Sequence, residues 1–102
     1  MGINVYLTTN MGAPVAEPWL DPGGVLPRVL ERAPRDSHCL QFIDPYGDTI
    51  FNRLQVSTLI AEFEALRADV LDPELHAHIG SVIAYIQMVR ALVSQYVKFV
   101  GD

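Results

Sequence analysis

The apolar residues of the C-terminal third recur with the spacing of an α-helix. From Leu75 to Val100 they follow one another at intervals of three and four residues, which places them on one helix face. This stripe consists of Leu75, Ile79, Val82, Ile86, Val89, Val93, Tyr96 and Val100. Asp72 offers a side-chain oxygen to the first free amides, and Pro73 suits the first helical position because it has no N–H. The pattern predicts a long helix over 72–100 on which the other elements pack.

A straight helix of that length does not fit inside a compact domain of 102 residues. About 28 helical residues would run about 42 Å, whereas a domain of this size has a radius of gyration of about 13 Å. Three alternatives follow for this segment. It kinks near Gly80, it changes structure near Ser94, or its end extends onto a partner.

Alternating apolar and polar residues predict strands in the N-terminal part of the chain. Residues 3–8 alternate strictly, which is typical of a half-buried strand. Residues 13–19 form a second candidate strand, which Pro14 and Pro18 restrict to a sheet edge or to irregular structure because proline cannot donate to a ladder. Residues 27–33 are spaced for a short helix that the following proline ends.

The middle of the chain predicts a β-hairpin. Residues 38–43 alternate, with Leu40 and Phe42 on one face, and residues 48–52 include good strand formers. The intervening residues 44–47, D-P-Y-G, have proline and glycine at the second and fourth positions of a turn. The two candidate strands are therefore expected to pair with each other.

Apolar spacing predicts a second helix from Val56 to Val70. Only residues 69–73 connect it to the C-terminal helix, and short connections make antiparallel neighbours. The expected fold class is α+β: a small antiparallel sheet of three to four strands packed on a C-terminal αα-hairpin with one long helix. We expect residues 1–102 to form a single domain.

The distribution of charge bears on the kind of partner. The chain carries a net charge of −5, and residues 36–89 hold eight acids against Arg53 and Arg67, a net −6. A nucleic-acid partner is not expected, because phosphate contacts require a basic patch. Two interpretations of the acidic surface remain: it keeps the protein soluble, or it attracts a basic protein partner.

The apolar run over 79–100 has the length of a membrane span, but we do not expect it to enter a membrane. It contains Arg90 and Lys98, and each central cation costs about 2.5–3.5 kcal/mol on insertion. The N-terminus has no cationic region followed by an apolar core, so no signal peptide is expected. The single cysteine, Cys39, permits no internal disulfide and fits a reducing compartment. These features predict a cytoplasmic protein.

Polar side chains of functional type are densest around the predicted hairpin. The cluster consists of Asp44, Tyr46, Asp48, Asn52, Arg53 and Gln55. Two carboxylates four residues apart could bind a metal or act as acid and base, or they could hold the turn through bonds to the backbone. Among functional roles a binding surface is favoured over catalysis, because no nucleophile–base pair is apparent. An enzyme or small-ligand protein, with Tyr6 or Trp19 lining a pocket at the hairpin, is the alternative.

The remaining motifs indicate no metal site and no cofactor. His76 and His78 lie about 200° apart on a helix and cannot share an ion. His38 and Cys39 are neighbours in a predicted strand and would face opposite ways. The pair Gly23-Gly24 is not part of a phosphate-binding motif. We expect no catalytic residue, and Cys39 is interpreted as packing.

The predicted C-terminal helix has more apolar surface than one neighbouring element needs. Either the whole surface is buried inside the domain, or part of it mediates self-association as an isologous homodimer. The candidate self-association residues are Tyr85, Met88, Leu92 and Phe99.

Two segments resemble a known group of proteins. L-Q-F-I-D-P-Y-G-D-T-I-F-N-R-L-Q over residues 40–55, and the ending Y-V-K-F-V-G-D over residues 96–102, resemble a group of small bacterial proteins of about this length. The resemblance implies no activity and no functional residues. The segment F-I-D-P-Y-G-D is also similar to the F-x-D-P-x-G-N turn of the vicinal-oxygen-chelate family. Asp48 replaces the usual asparagine there and no histidine–glutamate ligand set can be placed, so we reject that match.

Three functions remain as hypotheses. The first is a non-catalytic protein-binding module, in its sharpest form an acidic inhibitor of the immunity or antitoxin type. The second is the enzyme or small-ligand protein that uses the cluster over 44–55. The third is a structural homo-oligomer assembled through the helix over 72–100.

Overall fold

A three-stranded antiparallel sheet and an antiparallel pair of helices form the two layers of the protein. The computed structural model describes residues 2–88 and 96–101. The elements in these ranges are β1 (Ile3–Thr8), α1 (Leu26–Leu30), β2 (Asp48–Asn52), α2 (Val56–Asp69), α3 (Pro73–Gln87) and β3 (Tyr96–Gly101). The α+β class and the αα-hairpin of α2 and α3 are confirmed.

The strand at the centre of the sheet comes from the C-terminus. The strand order is β1-β3-β2, and both outer strands pair antiparallel with β3. Ile3 lies opposite Gly101, and Asp48 lies opposite Val100. The prediction of one helix from 72 to 100 is therefore wrong: α3 ends at Gln87, and the chain is extended again from Tyr96.

A strand explains the apolar pattern of residues 96–101 as well as a helix does. Val97 and Phe99 are both 0% exposed, while Tyr96, Lys98 and Val100 on the opposite face are half-buried. Residues four apart, such as 96 and 100, share a face in a helix and also in a strand. The helical stripe thus continued across a change of structure, which was one of the three alternatives expected. The predicted position of that change, Ser94, lies outside the described residues.

The predicted hairpin does not form. Residues 40–42 make a single turn of 3-10 helix instead of a strand, and β2 pairs with β3 rather than with the segment before it. The second candidate strand, residues 13–19, makes only isolated bridges to β1, at Trp19 and at Pro14. The prediction that this segment lies at a sheet edge or is irregular is confirmed.

Local signals set the start of α3 as predicted. Asp72 Oδ1 accepts a hydrogen bond from the Glu74 amide at 2.9 Å, and Pro73 occupies the first turn. α3 packs on α2, and apolar residues of both helices join the inner face of the sheet in one core. The radius of gyration is 12.5 Å, as expected for a chain of this length. No helix within the described ranges has the length and apolar character that crossing a membrane requires.

Candidate functional site

Three of the six side chains in the predicted cluster over 44–55, those of Asp44, Asn52 and Gln55, hold their own turns. Asp44 Oδ1 accepts a hydrogen bond from the Tyr46 amide at 2.8 Å. Asn52 Oδ1 accepts from the amides of Leu54 and Gln55 at 2.9 and 3.1 Å. The Gln55 side-chain oxygen accepts a hydrogen bond from the Asn52 amide at 2.9 Å. These are the local side-chain-to-backbone bonds that Asp and Asn commonly make in turns.

The two carboxylates of the cluster do not converge on a cavity. Asp48 lies 3.5 Å from Lys98 on β3 in a solvent-exposed ion pair, whereas Asp44 is bonded within its own turn. Tyr46 is 79% exposed, and Arg53 is exposed as well. None of the clefts described below is lined by any of the six side chains in the cluster. This arrangement favours a surface role over acid–base chemistry.

The residues proposed for self-association do not share one surface. Phe99 is 0% exposed in the central strand, where its ring lies 5.8 Å from that of Phe51, so its assignment to a self-association face is wrong. Tyr85 is half-buried, and its hydroxyl donates to the Glu17 carbonyl at 2.8 Å. Met88 is 40% exposed at the end of α3. Leu92 lies outside the described residues.

A buried carboxylate that sequence reasoning missed ties the N-terminal segment to α3. The Asp21 side chain is 0% exposed and accepts hydrogen bonds from the amides of Ile3, Val25 and Leu26 at 3.0–3.1 Å. Its Oδ1 also lies 2.8 Å from His78 Nε2. Because Asp21 is bound from three elements at once, we assign it a structural role.

Trp19 completes this connection. Its ring meets the His78 imidazole edge-on at 5.1 Å, and its indole N–H donates to Ser81 Oγ at 2.9 Å. Trp19 therefore anchors the segment before α1 to α3. The enzyme hypothesis offered Tyr6 or Trp19 for a pocket, and of these two Tyr6 lines a cleft that is described below.

A second carboxylate explains why residues 38–43 are not a strand. Both oxygens of Glu62 on α2 accept backbone amides, Oε2 that of His38 and Oε1 those of Cys39 and Leu40 at 2.9 and 3.0 Å. Desolvation raises the pKa of Glu62, but the three amide bonds outweigh it and lower the pKa below its ordinary value. Burial, reinforced by Glu62, raises the pKa of the Cys39 thiol, which is 2% exposed. A raised pKa and this burial make the thiol unreactive, in line with packing.

Replacing Glu62 with glutamine is expected to lower the free energy of unfolding by about 1–3 kcal/mol at neutral pH, because the partly buried amides that Glu62 binds lose one acceptor oxygen. Since the folded-state pKa of Glu62 is lowered, its contribution is complete above the unfolded pKa of about 4.3 and is lost as the pH falls through the folded value. The difference between wild type and Glu62→Gln should therefore narrow in acid. Urea denaturation across this pH range measures it.

Glu64→Gln is the matched control, because Glu64 is exposed on the same helix. We expect it to leave stability nearly unchanged at every pH. A Glu62→Gln effect that stays constant into acid, or that Glu64→Gln reproduces, would contradict the assigned role of Glu62.

The face of the sheet turned away from the helices carries side chains suited to recognition. We call it the outer face. It consists of Asn4, Tyr6, Asp48, Ile50, Asn52, Tyr96, Lys98 and Val100, all half-buried or exposed. Tyr6 and Ile50 flank Lys98 in one row across the three strands. Tyrosine and aliphatic groups beside a few polar ones are the mixture found in protein interfaces.

Part of the outer face is concave. The loop after β1 rises beside the sheet and leaves a cleft of about 350 Å³. The cleft is lined by Tyr6, Thr8, Gly12, Pro14, Lys98 and Val100. Such a volume accommodates one or two side chains of another protein. The sequence pattern assigned Lys98 and Val100 to a helix, so it could not bring them together with Tyr6.

Two other clefts lie on the helical side of the molecule. One of about 370 Å³ has the carboxylates of Asp36, Glu62 and Asp69 together with Arg32 in its wall. Another of about 390 Å³ includes Arg28, Arg32, Asp72, Glu74 and His78, so that formal charges of both signs balance in it. Neither arrangement selects one class of ligand.

The described part of the chain holds no group of three or more His, Cys, Asp or Glu side chains placed to bind a metal ion. His76 is exposed, and His78 is engaged with Asp21. The surfaces that we consider for recognition are the outer face with its cleft and the edge of β2. The chain matches no protein-family model, no curated protein and no solved structure, so its function has to be inferred from these surfaces.

Proposed function

We propose that the protein is a non-catalytic protein-binding module that holds a basic partner protein against the outer face of its sheet. The observation that carries this proposal is the concave part of that face, where Tyr6 and Val100 flank Lys98 beside the loop after β1. Buried aromatic anchors in pockets dominate the energy of many interfaces.

The acid–base alternative has less support. Asp44, Asn52 and Gln55 are occupied by bonds within their own turns. Asp48 and Lys98 form an exposed ion pair, which costs little to rearrange on binding. The polar side chains near β2 therefore offer contacts to a partner rather than a reaction centre.

Charge supports a basic partner. The chain has a net charge of −5. The exposed Asp36, Glu64, Asp69 and Glu74 belong to the helical side of the molecule, and on the outer face Asp48 and Lys98 balance each other, so the attraction acts at long range. Negative potential attracts a basic protein and accelerates its association, while the outer face supplies short-range contacts. In its finer form, the proposal is an acidic inhibitor of the immunity or antitoxin type that blocks the activity of a basic protein.

The test compares four immobilised baits in one soluble lysate: wild type, Tyr6→Ala, Val100→Lys and the control Leu71→Ala. Leu71 is 93% exposed in the connection between α2 and α3, away from the sheet. We expect one basic protein to bind wild type and Leu71→Ala and to be lost from both outer-face variants. With that protein purified, Tyr6→Ala should raise Kd about tenfold or more, and added salt should weaken binding.

Two results would contradict the proposal. One is recovery of the same proteins by all four baits, and the other is a partner whose affinity is unchanged by Tyr6→Ala. The inhibitor form fails separately if the purified partner has an activity that a saturating amount of this protein leaves unaltered.

A further inference from the structure

The outer edge of β2 is open, whereas the opposite edge of the sheet is covered. At the β1 edge, Val5 exchanges two backbone hydrogen bonds with Trp19 at 2.8 and 2.9 Å, and Leu7 accepts one from Val15. At the β2 edge no strand pairs with residues 48–52 within the described part of the chain. Open edges are templates for pairing with another chain.

The direction of the free backbone groups follows from the register. Gly101 donates its amide to the Gly47 carbonyl at 2.8 Å, so this pair is hydrogen-bonded. Because bonded pairs alternate in an antiparallel ladder, Thr49 and Phe51 direct their N–H and C=O groups toward β3. Those of Asp48, Ile50 and Asn52 point away from the sheet. At Asn52 both groups already have a partner in the following turn: the amide donates to the Gln55 side chain, and the carbonyl accepts the Gln55 amide at 3.0 Å.

β2 lacks two of the usual protections of an edge strand, although it is short and carries one charge, at Asp48. Its sequence, D-T-I-F-N, contains neither lysine nor proline. Ile50, at its centre, is 57% exposed. Tyr46 and Leu54, 79% and 90% exposed, stand four residues before and four residues after Ile50. The exposed apolar residues are thus arranged symmetrically about Ile50.

We propose that this edge binds a second copy of the chain, β2 to antiparallel β2, about a two-fold axis at Ile50. In that register Ile50 faces Ile50 of the second copy, and Asp48 faces Asn52, so that no two like charges are opposed. Ile50 exchanges both of its backbone bonds across the axis. Each Asp48 amide donates to the second lone pair of an Asn52 carbonyl, whose first accepts the Gln55 amide of its own turn. A pairing of identical strands is isologous and closes as a dimer.

The second copy fits this edge better than an arbitrary strand does, because every second position from 46 to 54 alternates between apolar and polar symmetrically about Ile50. These positions are Tyr46, Asp48, Ile50, Asn52 and Leu54. The dimer has a continuous six-stranded sheet. Its axis stands perpendicular to the sheet, so both outer faces lie on one side and the surface proposed to hold a basic partner is doubled. Self-association occupies the edge and leaves Tyr6 and Val100 free.

Cysteine cross-linking tests the register directly. In a Cys39→Ala background, Ile50→Cys should form a disulfide-linked dimer under mild oxidation, since opposed residues of a bonded pair have Cα atoms about 5.5 Å apart. Asn52→Cys is the control. Two Asn52 positions are four residues apart along the paired strands, about 14 Å, and should not cross-link. Equal cross-linking of both variants, or of neither, would overturn the proposal.

Sedimentation adds a measurement that needs no cysteine. Wild type should associate to a dimer as concentration rises, and more strongly in salt, because two chains of net charge −5 repel each other. Ile50→Lys places two cations on the axis and should leave a monomer, whereas Leu71→Lys should still dimerise. A wild-type monomer at millimolar concentration would refute the dimer. Binding of a basic partner weakens in salt, so the two proposals fail independently.

Discussion

Replacing Asp21 with alanine is expected to lower the free energy of unfolding by about 3–5 kcal/mol. The Asp21 carboxylate is fully buried and receives the amides of Ile3, Val25 and Leu26. Alanine leaves these donors without an acceptor and deprives His78 of its partner at 2.8 Å. Each orphaned buried donor costs about 1–3 kcal/mol, with partial relief from water. Urea denaturation followed by circular dichroism measures the change.

Asp48→Ala is the matched control for this experiment. Its carboxylate forms an exposed pair with Lys98 at 3.5 Å, and such pairs contribute about 0–1 kcal/mol. Asp21→Asn keeps one acceptor oxygen, so its loss of unfolding free energy should lie between those of Asp21→Ala and Asp48→Ala. If Asp21→Ala were no more costly than Asp48→Ala, the connection from β1 through Asp21 to α3 would not hold the fold together as described.

Phe99→Ala is expected to lower the free energy of unfolding by about 3–5 kcal/mol, the range for removing a buried aromatic side chain and leaving a cavity. The Phe99 ring is 0% exposed, between Phe51 of β2 at 5.8 Å and Phe63 of α2 at 6.4 Å. It therefore joins the central strand to an edge strand and to a helix. Should Phe99→Ala be too unstable to purify, Phe99→Leu should show a smaller loss in the same direction.

The stability of Val100→Ala distinguishes a strand from a helix at residues 99 and 100. Val100 is the next residue of β3 and faces the opposite side of the sheet, where it is half-buried. We expect its replacement to cost clearly less than that of Phe99, since side chains alternate in a strand. Equal costs at both residues would contradict the strand register.

Much of the layout could be predicted because its causes are local. The alternation of β1, the apolar spacing of α2 and the cap at Asp72 each reside within a few residues, and all three appear where the sequence placed them. The surface that we propose for recognition was predicted only in part. Asp48 and Asn52 do lie on the outer face, but the residues that complete its cleft come from β1 and β3.

The predictions that were wrong share one cause, which is contact between residues far apart in the sequence. The spacing of residues 96–100 satisfies a helix and a strand alike, and only the presence of β1 and β2 on both sides selects the strand. Residues 38–43 alternate like a strand, yet the Glu62 carboxylate some 20 residues later accepts the amides of His38, Cys39 and Leu40 and fixes a turn. No local pattern distinguishes an acid that will be buried from one that will be solvated, so Asp21 and Glu62 looked like surface charge.

The sequence by itself determined the α+β class, the helical hairpin, the capped start of α3 and the acidic balance, because periodicity, capping and charge are properties of neighbouring residues. Only the tertiary structure decided that the last strand is central, that β2 is an open edge and that Tyr6, Lys98 and Val100 share a cleft. Pairing Ile3 with Gly101 closes nearly the whole chain into one loop. Such a contact is stabilised by the core that it completes, and local spacing does not encode it.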